Sequence, residues 1–127
     1  MLAMIALGGA IGSVTRYLLG GFVQRTAGLA FPVGTMFVNI TGSFVAGLLL
    51  RYFMNSQSHP LMRAALVVGF CGGFTTFSAF STETLGLAEG GEYGRAALYV
   101  MASVGLSLAA VFGGFALGGF AAPHASR

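Results

Sequence analysis

Apolar residues fill four long stretches of this chain, at about residues 2–23, 33–52, 61–87 and 93–120, with short polar breaks between them. Each stretch reaches or exceeds the length of about 20 residues that an α-helix needs to cross the hydrocarbon core of a bilayer. The pattern predicts an all-α integral membrane protein of four transmembrane helices, folded as a single domain over residues 1–127. The breaks read as connections. Gln24 to Phe31 is polar and contains glycine, and Pro32 after it suits the first turn of a helix. Arg51 to Arg63 holds the most polar run, in which His59 beside Pro60 reads as a solvated loop residue. Glu89-Gly90-Gly91-Glu92 reads as a short exposed turn, and Pro123 to Arg127, with His124, as a frayed tail. Met1 to Val23 lacks the positive n-region of a secretory leader and is read as the first span.

The third stretch breaks the pattern. Between Gly69 and Glu83 it carries Gly72, Gly73, Thr75, Thr76, Ser78, Ser81 and Thr82 where a plain spanning helix would carry leucine and valine. Hydrocarbon leaves a freed backbone N–H or C=O unsatisfied at a cost of several kcal/mol, so irregular backbone there must be buried in protein or line a cavity. Paired glycines and paired β-branched threonines lower helix propensity together, which predicts a break at residues 72–76. A break offers carbonyls at the end of its first half and N–H groups at the start of its second. Carbonyl clusters of that kind suit a hard cation, and helix N-termini suit an anion. Downstream, Phe77 and Phe80 stand at i, i+3 and share a helix face. That spacing serves packing, or else sets the positive edges of two rings along the path of a small, partly dehydrated anion.

The other spans hold single polar residues among small ones. Gly8-x-x-x-Gly12 is the pattern that lets helix backbones approach closely in lipid, and Arg16 follows one turn on, either snorkelling to the headgroups or pointing into a protein vestibule. The second span carries Asn39, Thr41 and Ser43 beside Gly34, Gly42 and Gly47. Asn39 either hydrogen-bonds a neighbouring helix or donates into a pore. In the fourth span Tyr99, Ser103 and Ser107 are four residues apart and form a row of hydroxyls, which either bond back to their own helix or line a path. Gly114-x-x-x-Gly118 adds a second ridge for close contact.

Composition narrows the function. Only 7% of the residues are charged, there is no Lys or Asp, and six arginines are spread singly, so no basic patch for nucleic acid exists. The lone Cys71 excludes an intrachain disulfide framework and a zinc cluster and reads as a small buried residue. With no paired carboxylates and no histidine in a span, nothing supports an enzyme. Arg51, Arg63 and Arg127 fall on one side of a four-span topology, and Arg16, Arg25 and Arg95 on the other, so positive residues set no orientation. Four short helices bury little surface alone. The expected assembly is an antiparallel, dual-topology homodimer with isologous contacts.

Three blocks carry a family resemblance as well. Gly8-Gly9-x-x-Gly12-x-x-x-Arg16-Tyr17, Gly34-Thr35-x-x-Val38-Asn39-x-x-Gly42-Ser43-Phe44 and the run Gly69-Phe70-Cys71-Gly72-Gly73-Phe74-Thr75-Thr76-Phe77-Ser78-Ala79-Phe80-Ser81-Thr82-Glu83 resemble the Fluc (CrcB-type) fluoride channels. The likeness extends over all four spans, and the third block is its most specific part. It implies a passive fluoride-selective channel in the cell inner (plasma) membrane, built as an antiparallel dual-topology homodimer with two pores and a structural Na⁺ at the dimer centre. On that resemblance Gly72 and Thr75 give backbone carbonyls to the Na⁺, Phe77 and Phe80 are pore phenylalanines, and Asn39 is the pore amide. Arg16 belongs to the vestibule, and Tyr99, Ser103 and Ser107 to a polar track. The family's track can continue with a further hydroxyl one turn on, where this chain has Val111. Glu83 matches an acidic residue whose role stays open.

Two other readings compete. A small proton-coupled multidrug exporter also has four spans, but it needs an ionisable acid inside the membrane, and the spans hold none before Glu83, which the sequence puts near a helix end. A non-transporting assembly subunit would need the glycine ridges alone, and leaves the broken third span and its phenylalanines without a purpose.

Overall fold

The computed structural model describes residues 1–55 and 59–121, so the predicted tail at Pro123 to Arg127 and the middle of the polar loop lie outside the described residues. Its elements are α1 (Leu2–Ala27), α2 (Val33–Asn55), α3 (Pro60–Arg63), a π-helical stretch π1 (Ala64–Cys71), α4 (Gly72–Phe74), α5 (Phe77–Glu89) and α6 (Tyr93–Ala121). α3, π1, α4 and α5 together form one interrupted span over residues 60–89, so four segments are long and apolar enough to cross a membrane.

The first helix continues past Val23 through Gln24 and Arg25 and ends at Ala27, where Gly28 takes the left-handed conformation (φ 61°) and returns its N–H to the Gln24 carbonyl. The sequence had placed the polar residues of this turn in a loop. Gln24 explains the extension, because its side chain bonds the Leu29 and Phe31 carbonyls and accepts from the Gly34 N–H, so one amide ties the end of α1 to the start of α2.

Apolar contact between helices gains little in lipid, so packing depends on how closely backbones approach. Glycine sets that approach at the seams of α1 with the interrupted span, α1 with α2, and α2 with α6. A Cβ at Gly8 or Gly12 would overlap backbone of Ala65 and Phe70 in π1, and one at Gly73 would overlap the Gly9 carbonyl. Gly20 and Gly34 close the seam between α1 and α2, and Gly47 and Gly114 the long seam between α2 and α6. The interrupted span thus lies on α1 with its first half and reaches α6 with its second, where Phe80, Leu87, Ala96 and Tyr99 form a buried cluster. Outward faces stay apolar, with Leu7, Ile11, Leu18 and Phe22 exposed along α1. Gly114→Leu is expected to force α6 off the Phe44 and Leu48 backbone and to cost about 1–3 kcal/mol, the range for overpacking. A lowered unfolding midpoint in detergent checks it, with Gly113→Leu, on open space, as the silent control.

The break is narrower than residues 72–76. Gly72 (φ −63°, ψ −37°) is helical and Gly73 lies inside α4, whereas Thr75 (φ −82°, ψ 156°) and Thr76 (φ −148°, ψ 117°) are extended. The β-branched threonines are at ease in extended backbone and make the break, while Gly73 serves the contact with α1 instead.

Candidate functional site

The two threonines turn the chain and then restart it. Thr75 closes the first half, its N–H and hydroxyl both reaching the Cys71 carbonyl at 3.0 and 2.9 Å. Thr76 is the N-cap of α5, its hydroxyl accepting from the Ala79 N–H at 3.1 Å. Between these two acts the backbone of Thr76 would be stranded in a low-dielectric interior. Asn39, half-buried on α2, satisfies it on both sides: its Oδ1 accepts from the Thr76 N–H at 2.7 Å and its Nδ2 donates to the Thr76 carbonyl at 2.9 Å. The carboxamide stands in for a peptide group, so Asn39 does bond a neighbouring segment, and it lines a cavity as well.

The same bonds release two carbonyls. In a continuous helix the Gly72 carbonyl would take the Thr76 N–H and the Thr75 carbonyl the Ala79 N–H. Both N–H groups are claimed by side chains, Asn39 and Thr76, which leaves the Gly72 and Thr75 oxygens without those partners. Gly72 is exposed, and a Cβ on it would meet nothing within 4 Å. The Gly73 carbonyl, by contrast, is taken by Arg16, whose Nε donates to it at 3.0 Å, with the Ser13 hydroxyl at 3.4 Å. A cation at the C-terminal end of a helical segment complements its dipole. Arg16 therefore points into protein and does not snorkel.

A cavity of about 290 Å³ opens beside the break, lined by Asn39, Ser43, Thr75, Thr76, Phe77, Phe80, Ser103 and Ser107 together with Val104 and Leu108. Phe77 and Phe80 both border it, their ring centroids 5.3 Å apart. They do not share an environment as their spacing implied. Phe80 is 8% exposed and packs against Tyr99, while Phe77 is 76% exposed at the open edge. The hydroxyl row also divides. Ser103 and Ser107 line the cavity, but Tyr99 is wholly buried behind Phe80, edge-on to Phe31.

Polar lining in a membrane protein has an innocent explanation when each hydroxyl bonds back to its own helix. Thr15, Thr26, Thr41, Ser81, Thr82 and Thr84 do that here, each reaching the carbonyl four residues earlier. No such bond is made by Ser43, Ser103 or Ser107 among the described residues. Ser103 is 4% exposed, and its Oγ makes no hydrogen bond of normal geometry among the described residues, although it lies close to the Tyr99 hydroxyl. Leaving a buried hydroxyl unpaired costs about 1–3 kcal/mol, a cost that a guest able to hydrogen-bond Ser103 would recover.

A second cavity, of about 380 Å³, meets the first at Thr76 and is lined by Arg16, Gln24, Thr35 and Glu83. Glu83 sits in the middle of α5 and not near a helix end. The Thr35 hydroxyl donates to its Oε1 at 2.7 Å and the Tyr99 hydroxyl to its Oε2 at 2.6 Å, so each carboxylate oxygen has a partner. The phenol that heads the hydroxyl row is thereby committed to Glu83, a pairing of residues 16 apart that sequence spacing does not reveal. Thr76 as cap, Ser43 as lining and the Glu83 partners Thr35 and Tyr99 are what the sequence left unassigned. No group of three or more acids, histidines or cysteines that would hold a metal exists among the described residues. The break offers neutral oxygens instead, among them the Gly72 and Thr75 carbonyls.

Residues 3–115 match the model of a family described as CrcB-like protein, Camphor Resistance (CrcB). A protein named fluoride-specific ion channel FluC from Rhizobium meliloti is 50% identical over 115 residues, covering 90% of this chain and 92% of its own. One of the same name from Agrobacterium fabrum is 51% identical over 118 residues, covering 92% and 94%. Another, from Thermus thermophilus, is 50% identical over 116 residues, covering 91% of each.

Proposed function

We propose, from the premise that this chain belongs to the CrcB-like family, that it is a fluoride-selective channel through which the anion passes down its electrochemical gradient. It is a multi-pass membrane protein with no catalytic chemistry. The observation that carries the reading is the unpaired Ser103 hydroxyl, buried in a cavity whose other polar side chains are hydroxyls and one carboxamide. Fluoride is a small hard anion that accepts hydrogen bonds and donates none. Asn39 has a second Nδ2 proton left after Thr76 is served, and with Ser103 and Ser107 it replaces part of the ion's hydration. No carboxylate lines this cavity, which disfavours a cation there. The Phe77 and Phe80 ring edges add positive electrostatic surface, while their bulk resists larger anions.

Arg16 lends positive potential to the neighbouring vestibule, from which an anion reaches the first cavity past Thr76. Fluoride enters a cell as neutral HF from acidic surroundings and is trapped inside as the ion. A passive anion leak under a negative membrane potential then relieves toxicity, a role that suits the cell inner (plasma) membrane. The multidrug-exporter reading loses its only candidate acid, since both Glu83 oxygens are already engaged.

The assembly that goes with this reading is an antiparallel, dual-topology homodimer with two pores. The exposure of Phe77 and Gly72 on one side of the break supports it, because a second copy would cover both. Two freed carbonyls from each copy, Gly72 and Thr75, would give four oxygen ligands, a set that fits a hard monovalent cation such as a structural Na⁺ at the dimer centre. Held by these carbonyls, the ion would supply positive charge that joins the two breaks electrostatically.

Purified protein in liposomes with a fluoride electrode tests the reading. Rapid fluoride release without chloride release is expected; no release, or release only with a proton gradient, would sink it. Replacing Na⁺ by a bulky organic cation on both sides is expected to abolish release and loosen the dimer. Full flux after prolonged Na⁺ depletion would remove the ion from the assembly while leaving the channel itself intact.

A further inference from the structure

The row of hydroxyls on α6 stops at Ser107. One turn on stands Val111, which lines a third cavity of about 330 Å³ together with Val67, Ala46, Cys71 and Gly72. This cavity and the first share Ser43, Thr75, Ser107 and Leu108, so anything moving between them passes Ser43 on α2 and Ser107 on α6. Ser43 lies one helical turn from Asn39, and the two form a short polar row on α2 facing Ser103 and Ser107. Like those serines, and unlike Thr41 two residues earlier, it makes no bond back to its own helix among the described residues. Beyond this point the third cavity is mostly apolar, and with the Thr75 hydroxyl already donated to the Cys71 carbonyl, Ser43 and Ser107 are its two serine donors.

We propose that Ser43 is a further anion-binding residue, the donor that takes over from α6 where its hydroxyl row gives way to Val111. This deepens the fluoride-channel reading and rests on it. An anion at the junction of the two cavities is held between the Ser43 and Ser107 hydroxyls, one from each helix, before it leaves along the Val111 wall. The conformational requirement is small, since both hydroxyls rotate freely and neither has an intrahelical bond to give up.

The test compares wild type, Ser43→Ala, Ser43→Thr and the double variant Ser43→Ala with Val111→Ser, each reconstituted in liposomes after eluting from size exclusion as the wild type does. Ser43→Ala is expected to slow fluoride efflux by about 10- to 100-fold, the factor for one lost hydrogen bond to a charged group. Ser43→Thr keeps the hydroxyl and is expected to retain most of the rate. The double variant returns a hydroxyl to α6 and is expected to recover most of it. A wild-type rate in Ser43→Ala, a loss that Ser43→Thr shares, or a double variant as slow as Ser43→Ala alone each overturns the proposal. Failure of the wild type itself to release fluoride overturns the channel reading instead.

Discussion

Phe80→Ile is expected to abolish fluoride release while leaving the folded protein and its dimer in place. Phe80 is the buried member of the phenylalanine pair, held between Phe77 at 5.3 Å and Tyr99 at 5.3 Å, with its ring bordering the cavity. Isoleucine fills much of the same space. Losing the two aromatic contacts costs about 0.5–1.5 kcal/mol each, which a packed membrane bundle tolerates. What isoleucine cannot supply is a positive edge. An anion that has shed water gains nothing from an aliphatic wall, and a deficit of about 3 kcal/mol in the narrowest part of the path slows passage by more than 100-fold. The measurement is fluoride efflux from proteoliposomes beside size exclusion in detergent. Wild-type efflux from Phe80→Ile would remove the ring from the conduction path, and a lost dimer would assign it to packing.

How much of this was legible in the sequence depends on the range over which each residue acts. Hydropathy alone gave four spans, because length and composition decide what crosses a bilayer. The glycine ridges were legible for the same reason, since Gly8 and Gly12 or Gly114 and Gly118 act through local spacing. The break was misplaced by a few residues. Glycine lowers helix propensity wherever it stands, but Gly73 packs on Gly9 of α1 and both Gly72 and Gly73 stay helical, and only the extended preference of Thr75 and Thr76 is expressed. The end of α1 was missed because the bonds of Gln24 run forward to Leu29, Phe31 and Gly34, so a polar residue continues the helix. Tyr99 was grouped with Ser103 and Ser107 by its spacing of four. Its long side chain carries the hydroxyl past the row to Glu83, and no periodicity encodes reach of that kind.

The π-helical stretch was the largest feature without a sequence signal. Eight residues of wider coil in Ala64–Cys71 place Gly69 against Ile5 and Gly8, and Gly73 against Gly9, so these two glycines of the interrupted span meet glycines of α1. Such stretches concentrate at functional sites. Here its consequence is positional: it delivers the Gly73 carbonyl to Arg16 and leaves Gly72 exposed beside open space.

Asn39→Ala is expected to be the most damaging single change to the architecture of the break. The carboxamide satisfies the N–H and the carbonyl of Thr76 at once, and alanine removes both partners. Each unsatisfied group costs about 1–3 kcal/mol, so the expected loss is about 2–6 kcal/mol. The cheapest relief is for the Thr76 N–H to return to the Gly72 carbonyl, extending the first half by a turn. That would remove one of the two freed carbonyls and swing Phe77 and Phe80 away from the cavity. Stability, the Na⁺ requirement and fluoride efflux should therefore fail together. Asn39→Asp separates the two functions of the amide. A carboxylate still accepts from the Thr76 N–H but opposes the Thr76 carbonyl with a second acceptor and sets a negative charge in the anion's way, so efflux is lost with a smaller drop in stability than alanine causes. Thermal unfolding in detergent and efflux from liposomes measure both variants. An Asn39→Ala protein with wild-type unfolding would mean that the break does not depend on this clamp. Wild-type efflux from Asn39→Asp would mean that the anion does not pass the Asn39 side of the cavity.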